Sequence, residues 1–286
     1  MFKKEGDGMT IQEEKAYQEL QILEERYPVL VPLHKEIAEA FSMMRDSFER
    51  GGKLLLCGNG GSSADSDHIV GELMKGFCKK RRISEELSSE LKTLYGEAEA
   101  EYFTKHLEQG LPAIAFSAQT ALHTAYSNDQ DEALFYAQCL LGYGKKEDVL
   151  FGISTSGNAK NVGYALKLAK AMGIKSILLT GKDGGTGKEL ADLSIIAPSK
   201  ETYQIQELHL PIYHCLCLMI EAYFFGLTTT SISMAMKKYN LDKNSKLADE
   251  QFLELKEAAL RPLSFDDDCP ELTDEELARF KRNVGK

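Results

Sequence analysis

Apolar positions along this chain recur first at helical spacing, then in short unbroken runs, and then in alternation between the two. Residues 10–26 predict a helix, with Thr10 as its cap and Glu13 completing a capping box; Pro28 ends it. A second helix over about 31–49 puts Leu33, Ile37, Phe41 and Met44 on one face, and Gly51-Gly52 closes it. Leu54-Leu55-Leu56 is an apolar run of the kind a buried parallel strand shows. Gly58-Asn59-Gly60-Gly61 then breaks every period before a further helix. Residues 78–110 depart from this scheme: Lys79-Lys80-Arg81-Arg82 opens a charged helical stretch that reads as a surface insertion. The basic cluster reads as a solvated patch, with contact to an anion as the alternative. Strands follow at 111–116, 148–153, 176–180 and 193–196, with Asn128-Asp129 in a loop after the first. Val162, Ala165, Leu166 and Ala169 mark a helix between strands, and 205–225 forms a long, very apolar one. Strands alternating with helices imply an α/β fold, a three-layer α/β/α sandwich around a parallel sheet.

Three parts result: N-terminal helices over 1–50, an α/β domain over 51–226 carrying the insertion 78–110, and a polar C-terminal appendage over 227–286. Two helical patches, about 249–260 and 273–283, mark the appendage; Thr273 and Glu276 form a capping box at the start of the second. The apolar faces of the first two helices and of the last core helix exceed what one sheet buries, which leads us to expect a homo-oligomer, a tetramer.

Composition narrows the class. The 286 residues are 43% hydrophobic and 27% charged, as in a globular protein with a sizeable core. A net charge of −10 argues against a general nucleic-acid binder, though not against a local pocket for phosphate. No apolar run approaches the ~20 residues of a membrane span. The opening MFKKEGDGMT has no apolar signal core. The 6 cysteines show no paired spacing, and Cys57, Cys139, Cys215 and Cys217 lie in apolar runs. Reduced core thiols in a cytoplasmic protein are the expectation.

The glycine turn carries the first candidate chemistry. Glycines tolerate positive φ and let a ligand approach the backbone. Ser62 and Ser63 are placed to cap a helix whose free N–H groups and positive end attract anions. His68 and Glu72, four apart, share a helix face and suit metal binding or proton transfer. Ser154-Thr155-Ser156-Gly157-Asn158 repeats the anion cradle after a later strand, with neutral donors suited to a phosphate monoester. Each turn alone equally fits an ordinary βα connection; two in one sheet, one leading into His68 and Glu72, favour a ligand site. The last helix holds Gln206, Glu207, His209 and His214, where a core histidine is the default. Gln206 and His214 stand eight apart, roughly 12 Å on a regular helix. One ion with bonds of about 2.0–2.2 Å does not reach both. Either Pro211 kinks the helix or Gln206 precedes it.

Together GNGGSSADSDHIVGEL, SND, GISTSGNAKNV and IQELHLPIYH resemble the sugar isomerase (SIS) fold, and within it the phosphoheptose isomerase family. The resemblance spans about residues 30–225 outside the insertion. It implies a phosphosugar whose phosphate is held by Ser154, Thr155 and Ser156, with contacts from Asn59, Gly60, Gly61, Asn128 and Asp129. It implies zinc held by His68, Glu72, Gln206 and His214, with Glu72 as general base and His214 as general acid. The implied reaction converts sedoheptulose 7-phosphate to a heptose 7-phosphate for lipopolysaccharide or S-layer sugars. Residue types fit: aldose–ketose interconversion needs a base at a carbon beside a carbonyl and an acid at the oxygen. Ala159 stands where the family commonly has serine, and the insertion and the tail are further departures. The alternatives are a non-catalytic SIS sensor or regulator, and another SIS enzyme acting on an amino-sugar phosphate. The four retained side chains favour an enzyme. GNGGSS lacks the GxGxxG spacing of a dinucleotide fold.

Overall fold

Residues 9–226 are described in a computed structural model of the chain. In chain order they form α1 (Ile11–Arg26), α2 (His34–Glu49), β1 (Leu54–Gly58), α3 (Gly61–Met74), α4 (Glu85–Tyr95), α5 (Glu97–His106), β2 (Ala113–Ala115), α6 (Thr120–Asp129), α7 (Phe135–Tyr143), β3 (Val149–Ser154), α8 (Lys160–Met172), β4 (Lys175–Thr180), α9 (Gly187–Leu190), β5 (Leu193–Ile196) and α10 (Thr202–Phe225). The sheet runs β2-β1-β3-β4-β5 and every pairing is parallel. The inner strands β1 and β3 are buried on both faces, because successive side chains point to opposite covered layers, while the edge strands β2 and β5 keep half-buried positions. Leu54, Leu56, Phe151 and Leu179 enter a core shared with α1, α2, α3 and α10. Leu55, Cys57, Leu150 and Leu178 enter a second core under α7 and α8. The three-layer α/β/α sandwich is therefore present as expected.

Local signals match closely at the start. Thr10 and Glu13 form the capping box of α1. The expected second helix begins only at His34, because Pro28–Leu33 winds as a 3₁₀ turn around two prolines. The strand expected over 111–116 shortens to three residues. Asn128 and Asp129, expected in a loop, close the last turn of α6. α10 is continuous through Pro211, and in length and composition it would suffice to cross a bilayer, yet most of it is buried in the first core. Cys57, Cys139, Cys215 and Cys217 are free and buried. The helical patches expected at 249–260 and 273–283 lie outside the described residues.

The insertion supplies the largest correction. Arg81, read as part of a solvated basic patch, is 1% exposed and paired with Glu221, itself 0% exposed. Its Nη1 donates to the Leu73 carbonyl at 2.7 Å and its Nη2 to the Glu72 carbonyl at 3.1 Å. Arg81 thereby caps the C-terminus of α3, whose last carbonyls lack helical partners. Glu221, near the end of α10, accepts the N–H groups of Phe77, Cys78 and Lys79 at 2.8, 2.8 and 3.1 Å and the Arg81 Nε at 2.9 Å. Fully satisfied, such a pair is tolerated in a core; half of it is not. Glu221→Ala should therefore lower the unfolding free energy by about 3–5 kcal/mol. Urea denaturation reads this directly, and a loss below ~1 kcal/mol would mean the guanidinium finds other partners or water.

Candidate active site

The chain leaves β1 towards β2 on one side and then crosses to β3 on the other, so the strand order, not the strand direction, reverses between β1 and β3. In open parallel sheets the crevice outside the strand ends at such a point receives ligands. Both anion turns lie there, because β1 and β3 are neighbours in register from Leu54↔Val149 to Gly58↔Ile153.

In the first turn Gly60 has φ 57° and caps α3 without any side-chain bond. Ser62 and Ser63, expected to cap, lie inside the first helical turn; their N–H groups donate to the Asn59 and Gly60 carbonyls, both at 3.0 Å. The positive φ that glycine allows starts the helix earlier than a serine cap would. Asn59 exchanges amide hydrogen bonds with Asn161 of α8 at 2.8 and 2.9 Å. The Tyr136 hydroxyl donates to the Gly58 carbonyl, with the Asn59 Oδ1 at 3.1 Å. These contacts stitch the two turns together, and the sequence reading named neither Asn161 nor Tyr136.

In the second turn Ser154 is buried at the end of β3, while Thr155 and Ser156 are half-buried. Ser156 Oγ accepts from the Asn158 N–H at 3.2 Å, which leaves its own proton free to donate. α8 follows Ala159 without a side-chain cap from that residue; the Val162 N–H is taken by Asn161 Oδ1 at 3.0 Å, and the positive end of the helix faces the turn. The loop 182–187 backs this turn. Gly187 N donates to the Gly157 carbonyl at 2.8 Å, and Thr186 N to Asn158 Oδ1 at 3.0 Å.

The acid–base cluster forms where α3 meets α10. His68 Nε2 lies 3.1 Å from Glu72 Oε1 and 3.5 Å from His214 Nε2. His68 Nδ1 meets the Tyr213 hydroxyl at 3.0 Å, and that hydroxyl donates to Asp65 Oδ1 at 3.3 Å. Glu72 Oε2 and Asp65 Oδ2 are buried with no hydrogen-bond partner among the described residues. Burial, and then the neighbouring His68, lower the His214 pKa below the usual imidazole value, so the ring is neutral near pH 7. Burial raises the Asp65 carboxyl above its ordinary range. A groove of about 230 Å³ between α1 and α10 reaches His214, walled by Arg26, Tyr27, Glu207 and Leu210.

Of the four expected metal ligands, three therefore converge and one stands apart. Gln206 lies within the regular helix, not before it, and its amide covers Gly61 at the start of α3: a Cβ there would fall 2.2 Å from Gln206 Nε2. α3 and α10 run side by side, so Gln206 faces the anion end and His214 the His68 end. Among the described residues, no three His, Cys, Asp or Glu side chains by themselves form a metal-holding group. The separations of 3.1 and 3.5 Å at His68 Nε2 nevertheless resemble those between neighbouring ligands of a tetrahedral ion, roughly 3.3–3.4 Å for bonds of about 2.0–2.1 Å. His209 follows the default: buried, with Nε2 on the Thr180 carbonyl at 3.0 Å and a pKa lowered to about 4 by burial. Asn128 and Asp129 are exposed and bond to each other at 2.9 Å, and no hydrogen bond or ion pair joins them to either turn among the described residues.

Two turns rich in Gly, Ser and Thr thus lie where the strand order reverses, beside a His/Glu cluster. Residues 25–109 and 108–222 each match a SIS domain family model. The chain is 36% identical over 195 residues to a phosphoheptose isomerase of Helicobacter pylori, covering 68% of this chain and 88% of that one. It is 42% identical over 172 residues to one of a Nitratiruptor species, covering 60% and 78%. A phosphoheptose isomerase structure from Francisella tularensis superposes with a TM-score of 0.56 at 29% identity, covering 74% of this chain and 98% of that one. One from Neisseria gonorrhoeae gives 0.54 at 28%, covering 73% and 94%. The chain is a SIS-domain protein, and within that class it belongs to the phosphoheptose isomerase family.

The second turn is open to a direct test. Gly157 has φ 66°, and a Cβ there would fall 1.9 Å from the Gly184 carbonyl oxygen. Gly157→Ala must move the turn off loop 182–187, at a strain of about 1–3 kcal/mol. Calorimetry should then show phosphosugar binding weakened about tenfold or more. Unchanged affinity would place the phosphate elsewhere.

Proposed function

We propose that this isomerase interconverts sedoheptulose 7-phosphate and a heptose 7-phosphate, with the reacting carbons at the His68/Glu72/His214 cluster and the phosphate in the Ser154-Thr155-Ser156 turn. The reading is carried by the placement of Glu72 and His214 at the same nitrogen, His68 Nε2, about two helical turns from the two Gly/Ser-rich turns. The reaction moves one hydrogen between adjacent carbons and one between their oxygens, with no net redox change. Glu72, only 13% exposed at its side chain, accepts the proton from the carbon beside the carbonyl and returns it to the neighbouring carbon. His214, neutral and partly buried, serves the oxygens, giving a proton to one as the other loses its own. Gln206, over the start of α3, hydrogen-bonds the ligand at the end away from His214, and Asn59, Gly60 and Gly61 line the floor there.

Zinc belongs to the same proposal. His68, Glu72 and His214 are the residues that would hold it, with Gln206 as fourth ligand only after a shift towards them. When bound, zinc supplies electrophilic polarisation of the carbonyl. The donor set supports this: two imidazoles and a carboxylate whose buried Oε2 makes no hydrogen bond among the described residues and has only Lys75 Nζ near it, at 3.6 Å. A role in lipopolysaccharide sugar synthesis and a cytoplasmic site rest on the family resemblance. A tetramer rests on that resemblance and on the exposed Ile22, Val29 and Val31 along α1 and the turn after it. Sedimentation at micromolar concentration should show an assembly, and a monomer alone would reject it.

Glu72→Gln keeps the shape and removes the base, so turnover of sedoheptulose 7-phosphate should fall about 10²-fold or more while binding persists. His214→Gln should act likewise. Near wild-type rates in either variant would make that residue structural.

A further inference from the structure

We propose that Tyr213, oriented by Asp65, is the positioning residue that holds His68 in its Nδ1-protonated tautomer and so aims a bare Nε2 lone pair into the cluster. The proposal deepens the active-site reading given above and rests on it for the use to which the lone pair is put.

One proton decides which way these hydrogen bonds run. A tyrosine hydroxyl has a single hydrogen to donate and lone pairs to accept with. The Tyr213 hydroxyl stands between two partners, His68 Nδ1 at 3.0 Å and Asp65 Oδ1 at 3.3 Å. Tyr213 is 2% exposed, and the hydroxyl is the one hydrogen-bond donor to the Asp65 side chain among the described residues. An ionised carboxylate only accepts, and a hydrogen bond to it is the stronger kind. If the hydroxyl donated to His68 instead, both oxygens of a half-buried carboxylate, Oδ2 among them fully buried, would lack a protein donor, a costly outcome. The hydroxyl therefore donates to Asp65 and accepts from His68 Nδ1–H. The hydrogen bond at one ring nitrogen fixes the state of the other.

The consequence falls on the far side of the ring. Unprotonated, His68 Nε2 faces the carboxylate oxygen Glu72 Oε1 at 3.1 Å, two electron-rich atoms drawn together, with His214 Nε2 at 3.5 Å beside them. Such a convergence is relieved by a cation or by a donated substrate hydroxyl. Histidines that ligate metals commonly hand their second N–H to a carboxylate or carbonyl, which sets ring orientation and basicity. Here the hand-off passes through a phenol. The ring faces are fixed too: Tyr213 and His68 pack edge-on with centroids 5.5 Å apart.

Tyr213→Phe keeps the buried ring and removes the acceptor. Nitrogen-15 NMR of histidine-labelled, metal-free protein should show His68 as the Nδ1–H tautomer in the wild type. In the variant it should move to the Nε2–H form, which donates to Glu72. Zinc affinity, read by competition with a chromophoric chelator, should fall about 10–100-fold, while affinity for the sugar phosphate stays within a few-fold. Asp65→Asn provides a second variant and should shift the tautomer the same way by a smaller amount. An Nε2–H tautomer in the wild type, or the same tautomer in the wild type and both variants, overturns the proposal. A wild type that shows the expected tautomer and its loss in Tyr213→Phe, yet binds no zinc, supports the positioning role and removes only the metal from the proposed function.

Discussion

The buried pair between Arg81 and Glu221 is the constraint on which the site depends. Glu221 lies about two turns beyond His214 on α10, and Arg81 binds the carbonyl of Glu72 itself. One ion pair thus touches both helices that carry the acid–base side chains. A charge in a core tolerates little displacement, because each lost hydrogen bond exposes the full cost of burial. Sliding α3 along α10 would break several such bonds at once. Arg81 is further enclosed by the Phe225 ring, 4.8 Å from the guanidinium carbon. The spacing of the His68 cluster is in this sense set from behind, by residues no substrate touches.

What the sequence revealed follows from the range of the interactions involved. Leu54–Leu56, the GNGG turn and the STSGN turn are local patterns, and each was legible because strand, turn and helix signals lie within a few residues. The His68/Glu72 pair was legible for the same reason. Arg81 was misread because nothing near it in sequence reveals a partner 140 positions away. Asn161, Tyr136 and Tyr213 escaped likewise: their bonds to Asn59 and His68 span 102, 77 and 145 positions. Asn128 and Asp129 were expected in a loop, but a short helix continues through them. The geometric doubt over Gln206 and His214 was well placed: a continuous α10 does keep them at opposite ends of the site.

That separation gives the site a long axis. Gly61 and His68 are seven residues apart on α3, roughly 10 Å of helix, and α10 offers Gln206 and His214 at matching heights. The anion turns occupy one end and the titratable cluster the other. A ligand engaging both must be an extended chain bearing its phosphate far from the atoms that react. Free phosphate or a short phosphorylated alcohol would fill only half of it.

The insertion leaves and rejoins the domain through a narrow neck. Gln109 N bonds the Arg81 carbonyl at 2.7 Å, Arg82 and Glu108 form an antiparallel bridge, and the Glu108 carboxylate holds the Gly76 N–H at 2.9 Å. Beyond it, α4 and α5 pack chiefly on each other. Because lengthening a closed loop adds little entropic cost once its ends are pinned, the hairpin is free to drift in sequence and size on an evolutionary timescale. Its two roots are the parts tied to α3 and α10, through Glu108 and Arg81, so a change of length in the outer hairpin leaves the hydrogen bonds that hold those helices in place.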